Sequence, residues 1–336
     1  MARAISWRRT SPLAWLDVRA LAGGLRGEPA LLIGLIAICL LAHGLNMFQF
    51  PSITGIEDEG IYASQAWAIL REGQLSPYTY VYDHVPGGWI LLAGWMVLTG
   101  GPHAFGSAID SGRVLMLLLH VASVVMLYRI ARKLGCGVAL AGLGALLFTV
   151  SPLELTYARR LLLDNIMLFW ALLSLVLLLD GWGRLSRVTL SGVCFGVAML
   201  TKETAVFLVL PMLFIAWQQR WQHQARFAVL GWLVPMLVVV SWYPLYAALK
   251  GELLPAGGAV QFSTSGYGNT GVSLVDSLFW QVGRSGGGPF NLDNQFWSLV
   301  GSDWLPRDAV LLVGGALTTL LNVARGCRMR TIEQRR

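Results

Sequence analysis

Long apolar stretches separated by short polar ones run along most of the chain. A helix that crosses the roughly 30 Å hydrocarbon core of a bilayer needs about 20 residues. Several stretches approach that length: 30–48, 113–128, 136–150, 165–179, 188–200, 204–217, 227–246 and 308–324. The pattern therefore predicts an all-α, polytopic membrane protein with about eight transmembrane helices and with juxtamembrane helices on its outer face.

A further apolar stretch, 86–98, is shorter and contains Gly87, Gly88 and Gly94. The positive-inside rule decides its role. If it does not cross, the basic clusters all fall on one side: Arg3/Arg8/Arg9/Arg19/Arg26, Arg129/Arg132/Lys133, Arg184/Arg187, Arg220/Arg226 and Arg325/Arg328/Arg330. We therefore predict a cytoplasmic N-terminus and a juxtamembrane or re-entrant element at 86–98.

This topology divides the chain into three parts. Residues 1–29 form a basic cytoplasmic N-terminus, 30–325 a transmembrane domain and 326–336 a basic cytoplasmic tail. The outer loops of the domain are 49–112, 151–164 and 249–307. The last loop is rich in glycine and aromatic residues and is long for a passive connection. It indicates either a functional lid, with Arg284 as a candidate acceptor-binding residue, or a partly disordered segment.

The composition agrees with a membrane protein. Hydrophobic residues make up 55% of the chain and charged residues 13%, outside the range of soluble globular proteins. The net charge of +7 lies in short clusters between apolar stretches, so it indicates topology and not nucleic-acid binding. The cysteines have no paired spacing and indicate packing residues, with neither a disulfide framework nor a zinc site: Cys39, Cys136, Cys194 and Cys327.

A pair of acids, Asp58 and Glu59, follows the first span and precedes a segment with helical amphipathic spacing at 61–70. Carboxylates at a helix N-terminus are favoured by the helix dipole, so they can be simple helix caps. They can also act as a general base at the membrane surface. Asp83 and His84 stand shortly afterwards, as a capping device or, if they converge with Asp58, as ligands of a divalent cation.

Two arginines, Arg159 and Arg160, lie on the predicted outer side and break the positive-inside trend. Arginine forks match phosphate oxygens, although Arg160 and Asp164 also have the i, i+4 spacing of a local ion pair. Lys202 lies close to the hydrocarbon boundary, where an ionisable residue is a functional candidate or a snorkelling side chain beside Glu203. Carboxylates facing these cations suit transfer from a phosphate-bearing lipid.

The motifs at these positions occur in a fixed order between about 46 and 251. The chain resembles the GT-C superfamily of membrane glycosyltransferases, in the branch of protein O-mannosyltransferases and aminoarabinose transferases. The matching segments are Asp58-Glu59-Gly60-Ile61-Tyr62, Asp83-His84-Val85-Pro86, Tyr157-Ala158-Arg159-Arg160, Leu163-Asp164-Asn165, 196–203 and Trp242-Tyr243-Pro244-Leu245-Tyr246. Members of this family typically continue through further spans.

The resemblance implies an inverting transferase of the cell membrane with its site on the outer, periplasmic face. Asp58 is implied to be the catalytic base, Glu59 is the weaker candidate, and Asp164 orients the acceptor or the site. The donor is implied to be a polyprenyl-phosphate-linked hexose or pentose, and the acceptor a protein, lipid or glycan. No cofactor is implied beyond the possible cation. Expected ligands are Arg159, Arg160 and Lys202 for the donor phosphate, and Tyr62, Asp83, His84, Tyr157 and Arg284 for the substrates.

Two other functions remain open at this point. Polytopic architecture and intramembrane charge also suit a transporter or flippase of lipid-linked saccharides. Transporters, however, place their polar residues near the midplane on broken helices of repeated halves, and this chain shows no repeat. The other alternative is a truncated, catalytically inactive partner subunit that binds polyprenyl phosphate.

Overall fold

The computed structural model describes residues 27–49, 58–73, 84–181, 184–219, 226–254, 262–264, 267–270, 273–275, 278, 291, 293 and 295–334. Its helices are α1 (Gly27–Gly44), α2 (Asp58–Glu72), α3 (Gly87–Leu98), α4 (Ala108–Lys133), α5 (Val138–Val150), α6 (Pro152–Tyr157), α7 (Leu163–Asp180), α8 (Leu185–Thr201), α9 (Val209–Gln219), α10 (Ala228–Leu249), α11 (Gln295–Leu299) and α12 (Leu305–Gln334). Short 3-10 turns at Met47–Gln49 and Glu203–Leu208 precede α2 and α9, and a π-helical turn at Val300–Trp304 joins α11 to α12.

The described part of the chain is helical apart from one small hairpin. Strands β1 (Phe262–Thr264) and β2 (Tyr267–Thr270) pair antiparallel, with Phe262 opposite Thr270 and Thr264 opposite Tyr267. The predicted all-α architecture is therefore confirmed except for this hairpin in the last outer loop.

Each of the stretches predicted to span the membrane is helical. Five helical segments are long and apolar enough to cross, namely Gly27–Gln49, Ala108–Lys133, Leu163–Asp180, Ala228–Leu249 and Trp297–Arg325. The others are shorter: Val138–Val150, Leu185–Thr201 and Glu203–Gln219. The structure thus supports a multi-pass protein with at least these five candidate spans. Helix α3 has 12 residues and extends about 18 Å at 1.5 Å per residue, less than the thickness of the hydrocarbon core.

Large apolar side chains remain exposed along the outside of these helices, as contact with lipid requires. Examples are Leu210, Phe207, Val238 and Leu320. The buried residues instead form clusters between helices. One cluster lies beneath the predicted site and joins α2, α3, α4 and α7 through Tyr62, Ala66, Trp89, Leu92, Met96, Met116, Leu163 and Ile166.

The two ends of the bundle can be told apart by their charged residues. At one end, the start of α1 meets the end of α4, where Tyr128 donates to Glu28 at 2.7 Å and Arg132 donates to the same carboxylate at 3.2 Å. Lys133 pairs with Asp180 at the end of α7. These contacts involve residues of the basic clusters that were predicted to be cytoplasmic. The opposite end of α7 carries Asp164, and Arg159 contacts the opposite end of α1 through the Ala42 carbonyl.

Small residues let α8 and α10 pack closely. A Cβ atom added at Gly192 would lie 2.2 Å from the Trp232 carbonyl oxygen, and one at Gly196 would lie 2.7 Å from the Val239 Cβ. This spacing is the small-xxx-small pattern of helix pairs in membranes. On its other side α8 joins α7, because the Ser174 and Ser191 hydroxyls each donate to the other residue's carbonyl, at 2.8 and 2.7 Å.

We expect Gly192→Val to destabilise the protein by about 1–3 kcal/mol, since the obstructing atom belongs to the backbone of α10 and not to a side chain that can rotate. Thermal unfolding in lipid nanodiscs measures the effect. Gly144→Val is the matched control, because nothing lies within 4 Å of a Cβ at Gly144. Equal melting temperatures for the two variants would contradict the proposed close contact.

Candidate active site

Helix α2 begins with the predicted acid pair, and its second residue is held in a buried ion pair. Glu59 is 5% exposed. Arg113, at the start of α4, donates from Nε and Nη2 to the two Glu59 oxygens at 2.9 and 2.8 Å, and from Nη1 to the Met47 carbonyl at 2.9 Å. The Leu161 N–H donates to Glu59 at 2.8 Å. This carboxylate therefore joins α2, α4 and the segment between α6 and α7.

Asp58 differs from its neighbour. It is half-buried at the first position of α2, and no other described residue forms a hydrogen bond or ion pair with its carboxylate. Successive residues of a helix point about 100° apart, so the two acids face different surroundings. Both carboxylate oxygens of Glu59 accept hydrogen bonds, whereas the Asp58 carboxylate accepts none from the other described residues.

The segment that carries the arginines is fixed at both ends. Ser151 caps α6 by accepting from the Glu154 N–H at 3.3 Å. Asn165, in the first turn of α7, donates from Nδ2 to the carbonyls of Tyr157 and Arg160 at 3.2 and 3.0 Å. The Tyr157 hydroxyl donates to Asp303 at 2.9 Å. The Arg159 and Arg160 backbone is therefore held in a defined turn.

Both arginines are in poorly hydrated positions. Arg160 is 7% exposed. Burial lowers the pKa of its guanidinium, an effect that the nearby Glu59 carboxylate opposes. Burial also lowers the pKa of Arg159, which donates to the Ala42 carbonyl at the end of α1. An arginine side chain stays ionised in proteins, so two adjacent cations in this setting favour an anionic ligand such as a phosphate.

Lys202 lies directly after α8 in an extended conformation, with φ −155° and ψ 135°. Its Nζ lies 2.5 Å from the Asp164 carboxylate, in the first turn of α7. The local Arg160–Asp164 pair that the i, i+4 spacing permits does not form, and Glu203 is not the partner of Lys202. The Lys202 side chain is mostly buried, whereas that of Asp164 is half-exposed. The carboxylate that holds the ammonium therefore lies closer to solvent than the lysine side chain does.

Glu203 instead fixes the residues in front of α3. One of its oxygens lies 3.2 Å from the His84 Nδ1, and the other accepts from the Val85 N–H at 2.9 Å. The Tyr243 hydroxyl lies 3.5 Å from the His84 carbonyl oxygen. The Tyr62 ring lies 6.1 Å from the imidazole. His84 and Tyr62 are therefore neighbours, and both side chains are buried.

Two of the predicted residues, Asp83 and Arg284, lie outside the described residues, so the cation site suggested by Asp58, Asp83 and His84 stays a prediction. Arg113 was not among the site residues predicted from the sequence. The signal was present, since Arg113 stands at the predicted outer end of a span and breaks the positive-inside trend as Arg159 does.

Parts of the chain are similar in sequence to known glycosyltransferases. The family described as dolichyl-phosphate-mannose-protein mannosyltransferase matches residues 88–243. Undecaprenyl phosphate-alpha-4-amino-4-deoxy-L-arabinose arabinosyl transferases of Pseudomonas paraeruginosa and Pseudomonas aeruginosa are each 31% identical over 223 residues, which are 61% of this chain and 39% of theirs. The predicted resemblance to the GT-C superfamily is confirmed.

Two solved structures have a similar fold. The S. cerevisiae protein O-mannosyltransferase Pmt1-Pmt2 complex bound to the sugar donor gives a TM-score of 0.51 at 19% identity, over 74% of this chain and 37% of that one. The Archaeoglobus fulgidus oligosaccharyltransferase tethered with an acceptor peptide gives 0.50 at 16% identity, over 87% and 39%. The chain spans about two fifths of the length of the curated relatives that it matches.

We expect the two neighbouring acids to differ in their effect on stability. Glu59→Gln leaves the buried Arg113 without its counter-charge, which costs about 3–5 kcal/mol. Asp58→Asn breaks no contact among the described residues and should stay within about 0.5 kcal/mol of wild type. Thermal unfolding in nanodiscs compares them, with Glu72→Gln at the exposed end of the same helix as the control. A Glu59→Gln protein as stable as Asp58→Asn would show that the ion pair is not structural.

Proposed function

We propose that this chain is the membrane part of a glycosyltransferase that moves a sugar from a polyprenyl-phosphate-linked donor to a protein, lipid or glycan acceptor. The observation that carries this proposal is the difference between the two acids at the start of α2. Glu59 is held in an ion pair with Arg113, whereas the Asp58 carboxylate has no partner among the other described residues. The GT-C resemblance supports it, since relatives carry the names of undecaprenyl-phosphate arabinosyl transferases and mannosyltransferases.

In the proposed reaction Asp58 is the general base. Its carboxylate takes the proton of an acceptor hydroxyl or amide while the acceptor atom attacks the anomeric carbon of the sugar. The bond between that carbon and the phosphate oxygen breaks, and polyprenyl phosphate leaves with both electrons of the bond. A single displacement from the opposite side inverts the anomeric configuration. No acid is needed for departure, because a phosphate is already a good leaving group.

The cations at this end of the bundle serve the departing phosphate. Arg159, Arg160 and Lys202 are poorly hydrated, and charges act more strongly on a developing anion in such surroundings. We assign Asp164 a positioning role, since it holds the Lys202 ammonium at 2.5 Å. An ammonium has three donors, so two remain for phosphate oxygens after the contact with Asp164.

The proposed substrate-binding residues come from three elements around this site. Tyr62, His84 and Tyr157 lie on α2, before α3 and at the end of α6, where they flank the acids and the arginines. Together with Asp83 and Arg284 they are proposed to bind sugar or acceptor. We place the N-terminus in the cytoplasm and the site on the outer face of the cell membrane, as the basic clusters at the other end of the bundle indicate.

The transporter alternative is less consistent with the positions of the charges. The ionisable residues of the candidate site lie at helix ends: Asp58, Glu59, Arg113, Asp164 and Lys202. Transporters place such groups near the midplane of the bilayer. An inactive partner subunit would have no need of an unengaged Asp58 beside an intact ion pair.

We expect Asp58→Asn to lower transfer by about 10²–10⁴-fold, the usual contribution of a general base. Purified protein in proteoliposomes is given a radiolabelled polyprenyl-phosphate sugar, and donor consumption is followed. Glu72→Gln should keep wild-type activity, and the configuration of the product sugar, read by NMR, should be inverted. Wild-type rates in Asp58→Asn would rule out Asp58 as the base, and no turnover in the wild type despite donor binding would favour the inactive partner.

Loss of the Lys202 charge should weaken donor binding. A hydrogen bond to a charged group is worth about 1.5–3 kcal/mol, so Lys202→Met should raise the dissociation constant of the donor by about 10–100-fold. Lys250→Met, an exposed lysine at the end of α10, is the control and should bind as wild type. Asp164→Asn keeps the ammonium and should lose less affinity than Lys202→Met. Unchanged donor binding in Lys202→Met would remove Lys202 from the phosphate site.

A further inference from the structure

Three side chains of types that can ligate a metal lie close together inside the bundle, away from the proposed catalytic residues. Cys39 and His43 lie four residues apart on one face of α1, and His120 faces them from α4. Their ligand atoms lie within 4.8 Å of one another. The residues are 0%, 1% and 4% exposed, respectively, and the two imidazole rings are 4.1 Å apart between centroids.

Each imidazole is fixed from outside the cluster. The His43 Nε2 lies 2.9 Å from the Thr149 carbonyl oxygen at the end of α5. A carbonyl only accepts, so Nε2 carries the proton and Nδ1 carries a lone pair. The His120 Nδ1 lies 3.7 Å from the Glu154 carboxylate on α6.

The two remaining nitrogens, His43 Nδ1 and His120 Nε2, are buried and lack a hydrogen-bond partner among the described residues. A buried polar atom without a partner is costly and is rare in folded proteins. Two such atoms, in imidazoles that both lie beside Cys39, point to a ligand between the three side chains. The outer partners also match the usual surroundings of metal-binding histidines, whose second nitrogen donates to a backbone carbonyl or a carboxylate.

We propose that Cys39, His43 and His120 bind a thiophilic metal cation of the zinc class. Thiolate sulfur and neutral imidazole nitrogen are the ligands that zinc prefers, and three protein ligands leave a fourth position open. The cysteine was expected from the sequence to be a packing residue; the structure gives it two imidazole neighbours.

Such an ion would position the arginine segment. Its ligands come from α1 and α4, and their outer partners come from the end of α5 and from α6. Arg159 donates to the carbonyl of Ala42, the residue before His43. A metal at this point would therefore fix α1 against the turn that carries Arg159 and Arg160. Its role is structural, and it does not depend on the proposed transfer reaction.

The test is the metal content of the purified full chain in lipid nanodiscs, measured by mass spectrometry after exposure to Zn²⁺ and removal of unbound ion. Wild type should retain one zinc per chain, and Cys39→Ser and His120→Asn should lose it. Glu154→Gln should bind zinc about 10–100-fold more weakly, as expected for loss of an outer partner. Matched controls are Cys194→Ser, a buried free cysteine elsewhere, and His103→Asn, an exposed histidine.

Cobalt binding gives a second measurement, whose main result comes from the wild-type protein and does not depend on the folding of the ligand variants. Wild type loaded with Co²⁺ should show thiolate-to-cobalt absorption, and so should Cys194→Ser. Absence of this absorption in the wild type, or zinc retention in Cys39→Ser equal to that of wild type, would overturn the proposal. Retention that falls in the His103→Asn control as in His120→Asn would do the same, since it would show binding at the surface.

Discussion

The end of the bundle that holds the candidate site depends on one buried ion pair between Glu59 and Arg113. A guanidinium and a carboxylate that are removed from water need excellent geometry and further hydrogen bonds to be tolerated. Here the bidentate contact is completed by the Met47 carbonyl and the Leu161 N–H. These partners come from four different parts of the chain. The pair therefore sets where α2 begins relative to α4 and to the arginine segment.

The same principle recurs around the site. Lys202 is held by Asp164, and His84 is held by Glu203. In each case a charged or polar side chain near one helix end is paired with a carboxylate from another element. Poorly hydrated charges at the membrane boundary require such partners. Against this background Asp58 stands out, because its carboxylate has no partner among the residues that the structure describes.

The cluster of Cys39, His43 and His120 extends this architecture into the bundle. Its outer partners, Thr149 and Glu154, belong to the same part of the chain as Arg159 and Arg160. Burial and, to a lesser extent, the nearby Asp308 carboxylate raise the pKa of Glu154 to about 7. An acid in such a position ionises readily only beside a positive charge. The turn that carries the arginines is thus flanked by polar contacts of His43 with Thr149 and of His120 with Glu154.

The sequence alone determined the helices, the grouping of the basic residues between them and the identity of the candidate acids and cations. These features follow from hydrophobic periodicity and from charges that are local in the chain. The pairings were decided only in the tertiary structure. Glu59 and Arg113 are 54 residues apart, and Asp164 and Lys202 are 38 apart.

Cys39 and His43 share a helix face that the sequence displays, but His120 joins them only because α4 packs against α1. Which helices become neighbours depends on the fit of their surfaces, as at Gly192, where the backbone of α10 comes within 2.2 Å of the missing Cβ. Local pattern does not encode that fit. For this reason the residue types were predictable and their partners were not.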